Sequence, residues 1–514
     1  MRASLTLTLC LFLSGPVFAE EPPTEELAVA AAVLSDEART TAFAPYLEAV
    51  VAGDADAVHK LLPLLDDQAL ADLHGEVWLN LARQLEGLGD DWSVAATHAF
   101  SEAIRLDGER SAPDMLRALE VARSGGDVET MAGALSEQIG APMDGATRSE
   151  VSLEVARWHL REGNLGQAAG LLYTVDRSAA SYADSRNLLG VVLTHQGKPD
   201  SALGPLAEAQ AIGKAEKRPD RWNNMVELNL ARAFFTSKNW QQSVYHYAQI
   251  QRGSQFWPEA QFERAWAHFR ADDMTGTLAT LMSPNSEFFA DWYFAEASLL
   301  RVYALFMMCK FSDASTEIDA FTERYQPEFE SLTPLMAQMT PQDAWDDVTA
   351  LRADEATQIP FAVLQRYSQE DRFTDAFRAV ASIDAALTSS EGTSDPLLLK
   401  ARGWLSERKS AIVEAQGGRV LAHVRSVHGE LESMLQGVEL TRLDMLNLEA
   451  QMYERAAATG DLDYGDKVGK LRDLRARQKR AWVWPFEGEY WVDELGYYQI
   501  DARPDCPSGM ASGS

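Results

Sequence analysis

Small residues recur at a spacing of 34 residues through the middle of the chain, between amphipathic runs of apolar residues. Gly163 recurs as Gly197, and Ala168 recurs as Ala202. Each glycine separates two runs whose apolar residues lie three or four positions apart, which is the period of one helix face. A repeat of this length is typical of helix-turn-helix solenoids, so the spacing predicts an all-α array.

The unit around Gly197 indicates how its two helices would meet. Gly190 on the first helix and Ala202 on the second would let the two backbones approach closely. Leu193 and Leu206 would fill the space beside them. The repeat is clean from residue 151 to residue 281 and drifts on both sides.

This pattern resembles the tetratricopeptide repeat family, which stacks antiparallel helix pairs of this length. The matching positions are Leu189, Gly190, Gly197, Ala202, Leu206 and Ala209, with Ala231, Tyr247, Ala265 and Leu278 in later units. The resemblance covers residues 74–327 and implies a superhelix. We therefore expect an all-α fold: a solenoid of antiparallel helix pairs, then a long-helix, coiled-coil-like region and an aromatic C-terminal tail.

The same reasoning divides the chain into successive segments. The solenoid is expected over 74–330, after an N-terminal helical cap or degenerate repeat. An irregular helical connector, broken by prolines, would follow it. The expected bounds of the other segments are 1–19 (signal peptide), 20–73 (cap), 331–395 (connector), 396–460 (long helical hairpin), 461–505 (basic and aromatic segment) and 506–514 (disordered tail).

The family resemblance also implies a concave groove lined by the first helix of each pair. On this sequence the lining residues are Arg157, Arg161, Asn187, Leu228, Arg232, Phe235, Phe262, Trp266, Phe269, Arg270, Tyr303 and Phe306. Arginine and aromatic side chains are frequent anchors of protein interfaces. We expect this groove to bind an apolar peptide or helix of a partner protein. The alternative is that the rings pack between neighbouring repeats.

A heptad pattern follows the repeats. Its positions are Val420, Val424, Val427, Leu431, Met434, Val438, Thr441, Met445, Leu448 and Met452, nine of which are apolar. The pattern predicts a long helix with a coiled-coil-like seam. Gly417 and Gly418 predict an interruption before it. Gly429 and Gly437 within the pattern argue against an isolated two-stranded coil, which favours a hairpin folded back on the preceding segment. Packing on the solenoid and dimerisation are the alternatives.

The C-terminal segment combines a basic run at 470–480 with a dense group of aromatic residues. The basic run is expected to be a solvated helix near the chain's own acidic surface; an acidic partner is the alternative. The aromatic residues expected to dock are Trp482, Trp484, Phe486, Tyr490 and Trp491. Rings this dense are costly to leave in water, so they should dock on the chain's own helices. The alternative is a docking peptide for another subunit.

Two cysteines outside the N-terminal segment could hold this tail in place. Cys309 and Cys506 either pair, which would pin the tail, or are two unrelated thiols. The tail also resembles aromatic segments that end some exported bacterial repeat proteins, including envelope components associated with motility or secretion.

Residues 1–19 have the features of a signal peptide: Arg2, an apolar run and small residues before a cut after Ala19. Cys10 raises the alternative of a lipoprotein, but the large Leu9 precedes it. Export to the periplasm is expected, with secretion or association with the outer membrane as alternatives. The chain carries 46 basic and 77 acidic side chains, a net charge of −31. This acidity argues against binding to nucleic acid or to anionic lipid.

The sequence contains no GxSxG, HExxH, P-loop or GxGxxG motif. We therefore expect a non-catalytic scaffold of the bacterial envelope that binds another envelope protein, without cofactor, metal site or membrane insertion, as a monomer or homodimer. An assembly subunit that self-associates through the C-terminal helices and tail is the main alternative. An enzyme built on a helical solenoid is a remote one.

Overall fold

The structure is a computed structural model that describes residues 37–54, 56–289, 292–368, 370–459, 490–500, 504 and 506. Over these residues the chain forms α-helices joined by turns and short 3₁₀ segments, in successive pairs, as predicted. Residues 1–19, the basic run at 470–480, Trp482, Trp484, Phe486 and residues 507–514 lie outside the described part.

Twenty α-helices follow one another along the described chain. The first ten are α1 (Glu37–Val51), α2 (His74–Gly87), α3 (Ser93–Leu106), α4 (Gly108–Ser111), α5 (Met115–Gly125), α6 (Val128–Glu137), α7 (Gly145–Arg161), α8 (Leu165–Thr174), α9 (Tyr182–His195) and α10 (Pro199–Glu216). The others are α11 (Asp220–Thr236), α12 (Trp240–Gln249), α13 (Trp257–Arg270), α14 (Met274–Leu281), α15 (Ala295–Met307), α16 (Phe311–Gln338), α17 (Pro341–Arg352), α18 (Phe361–Ser368), α19 (Asp371–Ser389) and α20 (Pro396–Thr459).

The chain divides into two compact units. The first comprises Met1–Ser185 with Glu370–Gln416, and the second comprises Arg186–Gln369 with Gly417–Ser514. In each unit most neighbouring helices pack on the next one along the chain. The long helix α20 contributes residues to both units, so its two parts are described separately.

One backbone turn recurs at the end of the first helix of successive pairs. Its central residue has a left-handed φ between 56° and 78° at Gly126, Gly163, Gly197, Lys238, Asp272 and Cys309. The next amide donates to a carbonyl five residues earlier, as from Asn164 to His159 and from Lys198 to Leu193. This bond closes a Schellman turn, which satisfies a carbonyl that the helix end leaves free. The predicted turn glycines therefore mark real turns, and later pairs make the same turn without glycine.

The predicted close approach in the unit around Gly197 is also present. Gly190 lies against Leu206, and a Cβ atom added at Gly190 would lie 2.9 Å from Leu206 Cδ1. Ala202, Leu193 and Leu206 are buried around it. A side chain at position 190 would therefore push α9 and α10 apart.

In the first unit, α19 and the beginning of α20 pack on the early helices. The turn at Gly126 contacts the backbone of α19 so closely that a Cβ atom there would lie 3.0 Å from the amide nitrogen of Ala379. Trp404 of α20 lies beside Trp78 and His98, with ring centroids 5.0 and 4.9 Å away. Aromatic packing thus joins the beginning of α20 to α2 and α3.

In the second unit, the rest of α20 lies beside α15 and α16. The residues Val424, Leu431, Val438, Met445 and Met452 are buried, as the heptad pattern requires. His428 stacks on Phe329 with centroids 4.4 Å apart, and Arg442 pairs with Asp319. The apolar seam of α20 is therefore buried within the second unit. Packing on the solenoid was one of the two alternatives to a hairpin.

The predicted hairpin is wrong, because α20 runs without interruption through Gly417 and Gly418. Gly417 instead lies directly against the backbone of Pro341. The connector expected from residue 331 does not begin with a proline break, since Pro327 and Pro334 both lie inside α16. Phe321 and Tyr325 before Pro327, and Leu332 between the two prolines, are buried, and this packing offsets the lost backbone hydrogen bonds.

Candidate functional site

The basic end of the predicted groove is neutralised by the chain itself. In the first unit, Arg157 and Arg123 lie 3.2 and 3.1 Å from the carboxylate of Glu154, and Arg161 lies 4.0 Å from it. Glu154 is buried, which opposes its ionisation, but the arginines hold the pKa of its carboxyl below the usual value. Arg157 and Arg161 therefore already have a carboxylate partner.

Two predicted groove residues of the second unit are buried, which corrects their assignment as lining residues. Leu228 belongs to a core cluster with Ala231 and Tyr247. The side-chain oxygen of Asn187 accepts a hydrogen bond from Asn229 Nδ2 at 3.0 Å. Both side chains lie against a neighbouring helix. The face of a helix that touches the next pair and the face that would line a groove lie side by side, which is why the two positions were assigned to the groove.

Arg232 is placed at the predicted face, but it is held by carboxylates of α13. Its guanidinium lies 2.7 Å from Glu263 and 3.0 Å from Glu259. Burial alone would lower its pKa, but the hydrogen bonds that the guanidinium donates to Glu263 outweigh burial and raise the pKa. Arg270 is exposed and lies over the ring of Trp240, with its guanidinium carbon 5.9 Å from the centroid.

The predicted aromatic stretch of the groove also has partners within the unit. Phe262, Trp266 and Phe269 pack against a core cluster formed by α13, α14 and α15. Phe235 packs against the neighbouring cluster around Tyr247 and Trp257. These rings are half-buried. Their contacts within the unit fit the alternative expectation, in which the aromatic rings pack between neighbouring repeats.

Tyr303, one of the last two groove residues, lies beside the long helix. The hydroxyl of Tyr303 lies 3.7 Å from the position of a Cβ atom at Gly437. Burial raises the pKa of this hydroxyl. Phe306 contacts Phe311, with centroids 6.2 Å apart. The second part of α20 therefore packs beside the end of the predicted groove.

Cys309 and Cys506 form a disulfide in the structure, with Cα atoms 5.1 Å apart. Residues 490–500 lie against the second unit. Leu495 is buried against Trp257, and Tyr490 is partly buried, which raises the pKa of its hydroxyl. Trp491, by contrast, is 60% exposed and does not dock.

Sequence reasoning missed a row of exposed leucines on α20. Leu440, Leu443 and Leu446 are 63%, 62% and 57% exposed. They occupy the outward b, c and f positions of the heptad, whose a positions, such as Val438 and Met445, are buried. The signal was present in the sequence, because leucine recurs there at steps of three on the face that a heptad leaves to water. We call these three residues the leucine row.

Among the described helices, none combines the length and apolar character needed to cross a bilayer. Within the same residues, no group of three His, Cys, Asp or Glu side chains is arranged to hold a metal ion. Comparison of the sequence with protein-family models found no match, and comparison with curated protein sequences found none either.

Proposed function

We propose that this protein is a non-catalytic scaffold of the bacterial cell envelope that binds an amphipathic helix of another protein along the leucine row. The observation that carries the proposal is the exposure of three leucines, each more than half accessible, on one side of a well-packed helix. Neighbouring apolar side chains that stay exposed mark interaction surfaces more often than isolated ones do.

The geometry of the leucine row suits a helix. Leu440 and Leu446 are six residues apart, which is about 9 Å along a helix at 1.5 Å per residue. The row lies on the side of α20 turned away from the buried seam, so a partner could reach it without displacing the unit's own contacts. A helix with aliphatic residues at i, i+3 and i+7 would cover the row.

The charges around the row indicate which helix would fit. Exposed carboxylates flank it at Glu432, Glu439, Asp444 and Glu454. Arg442, the basic residue within the row, pairs with Asp319 and Glu439. A partner helix with Lys or Arg beside its apolar face would meet complementary charge, whereas a second copy would bring like charges together.

The envelope part of the proposal comes from the sequence. The signal-peptide pattern of residues 1–19 supports export, and the tetratricopeptide-like repeat supports a binding role. The sequence predicted a partner in the concave groove. We place the partner on α20 instead, because the groove residues are half-buried or paired within the chain.

A photo-crosslinking amino acid at position 443, compared with one at position 399, tests the proposal in intact cells. Leu399 lies on the same helix and is 53% exposed, but it stands outside the leucine row. We expect a crosslinked adduct from position 443 and none from position 399. Mass spectrometry of the adduct should locate the crosslink in a basic amphipathic helix of the partner.

Two outcomes would contradict the proposal. Equal adducts from both positions would mean that the leucine row has no special affinity. An adduct to a second copy of this chain, together with a dimer mass in light scattering that Leu443→Ser abolishes, would instead support the self-assembly alternative.

A further inference from the structure

The exposed apolar face of α20 continues beyond the leucine row toward the end of the helix. Leu443 and Leu446 are followed at the same heptad positions by Ala450 and Tyr453, which are also exposed, Tyr453 by 45%. These four residues lie at steps of three, four and three, which is the spacing of a coiled-coil seam. We call them the second seam, since α20 already buries its first seam within the second unit.

The chain passes out of the described part at the end of the second seam. α20 ends at Thr459, and the structure describes the chain again from Tyr490. The 30 residues between them, 460–489, therefore join two points of the second unit.

The chain returns at the level of the leucine row. The guanidinium of Arg301 donates a hydrogen bond to the hydroxyl of Tyr490 and pairs with Glu317 of α16 at 2.9 Å. Arg442, within the leucine row, pairs with Asp319 on the same stretch of α16 at 2.6 Å. The end of α20 lies 17 residues beyond Arg442, which is about 26 Å at 1.5 Å per residue. The path from the end of α20 to Tyr490 therefore runs back along the part of α20 that carries the second seam.

The sequence of this connecting segment fits that path. Its first six residues begin and end with glycine, which suits a turn of the chain. The next 17, residues 466–482, equal in number the residues of α20 that they have to pass. Among them, Leu471, Leu474 and Trp482 are spaced at i, i+3 and i+11, which places them on one face of a helix.

The charges of the two stretches are opposite in sign. Residues 470–480 carry six basic side chains and one acidic side chain. Between residues 439 and 455, α20 carries four acidic side chains and two basic ones, and Glu439, Asp444 and Glu454 are exposed. Complementary charge favours this segment as the occupant of the second seam over a second copy of α20.

We propose that residues 466–482 return antiparallel along α20 and cover the second seam, where they compete with the partner helix for the leucine row. This inference rests on the function proposed above and adds the regulation of the same surface. The segment is tethered at one end by α20 and at the other by the docked tail with its bond between Cys309 and Cys506. Its effective concentration at the seam is therefore high, so modest contacts are enough to hold it.

Photo-crosslinking of the purified full chain tests the cover without any partner. A photo-crosslinking amino acid replaces Leu443 or Tyr453, and mass spectrometry of the digested protein locates the adducts. We expect adducts within one chain from both positions, in reversed order: near residue 482 from position 443, and near residue 472 from position 453. Position 399, outside the second seam, should give no adduct with this segment.

Charge reversal in the segment tests the competition. The variant Arg472→Glu/Arg475→Glu/Lys479→Glu should lower the yield of the intramolecular adduct at least about fivefold. In cells it should raise the partner adduct from position 443 at least about threefold, because the partner no longer has to displace the segment. The matched control makes the same change of charge at three exposed lysines of the second unit and should alter neither yield: Lys198→Glu/Lys217→Glu/Lys238→Glu.

Three results would overturn the proposal. Absence of an intramolecular adduct in the purified chain would show that the segment does not cover the seam, whatever the cells give. An adduct to a second copy would show that the seam joins two chains. A partner adduct that does not rise in the charge-reversal variant would contradict the competition.

The proposed function fails in a different way. If neither the wild type nor the charge-reversal variant gives a partner adduct in cells, while the intramolecular adduct persists, the partner and the competition are contradicted and the cover is supported.

Discussion

Gly417 lies against Pro341 so closely that a Cβ atom at position 417 would be 2.9 Å from the α-carbon of Pro341. The neighbouring Gly418 has nothing within 4 Å of the same atom. Two adjacent glycines of one continuous helix thus have different roles. The first allows α20 to approach the start of α17, and the second has no packing role.

This difference predicts opposite effects of two alanine substitutions. Gly417→Ala should lower the free energy of unfolding by about 2 kcal/mol or more, because the backbone of Pro341 must move. Gly418→Ala should raise it by up to about 1 kcal/mol through the better helix propensity of alanine. Urea denaturation followed by circular dichroism measures both. A loss of stability in Gly418→Ala would contradict the assignment.

The recurrent left-handed turn predicts a stabilising substitution. Lys238 is exposed and has φ 61° at the position that glycine occupies in earlier pairs. Lys238→Gly should raise the free energy of unfolding by about 0.5 kcal/mol, since relief of the left-handed conformation slightly exceeds the added entropy of the unfolded chain. Gly197→Ala is the reverse control: its Cβ would meet no neighbour, so any loss of about 1 kcal/mol comes from the backbone alone.

The ion pair between Arg408 and Asp127 in the first unit should be important for stability. The two groups lie 2.5 Å apart, and the carboxylate of Asp127 is 2% exposed. Arg408→Met would leave this buried carboxylate without its partner and should cost about 3 kcal/mol. Lys409→Met removes the adjacent exposed pair with Asp384 and should cost less than about 1 kcal/mol. Equal losses in urea denaturation would argue against a special role for Asp127.

His98 should make the first unit less stable as the pH falls. Burial beside Trp78 and Trp404 lowers the pKa of His98 below its usual value of 6.5. The unfolded chain therefore takes up a proton below pH 6.5 that the folded ring resists, so stability decreases as the pH falls toward the folded pKa. The stability difference between the wild type and His98→Gln should shrink between pH 7.5 and pH 5. A constant difference would show that His98 is protonated without cost in the folded unit.

The sequence by itself determined the helix pairs, because periodicity and turn residues are local properties. Gly163 and Gly197 mark turns, Gly190 marks a close contact, and the heptad from Val420 to Met452 marks one buried helix face. These features follow from which residues can adopt a left-handed φ and which side chains share a face.

Only the tertiary structure decided what each face touches. From the sequence, the pair Gly417–Gly418 predicted a break in the helix, but in the structure Pro341 lies beside Gly417 and the helix continues. From the sequence, Leu228 was predicted to line the groove, but in the structure it is buried in a cluster with Tyr247. The same holds for the tail, whose Leu495 lies among residues more than two hundred positions earlier. Burial and pairing between residues distant in sequence depend on the packing of whole helices, and one sequence does not contain that information in any local pattern.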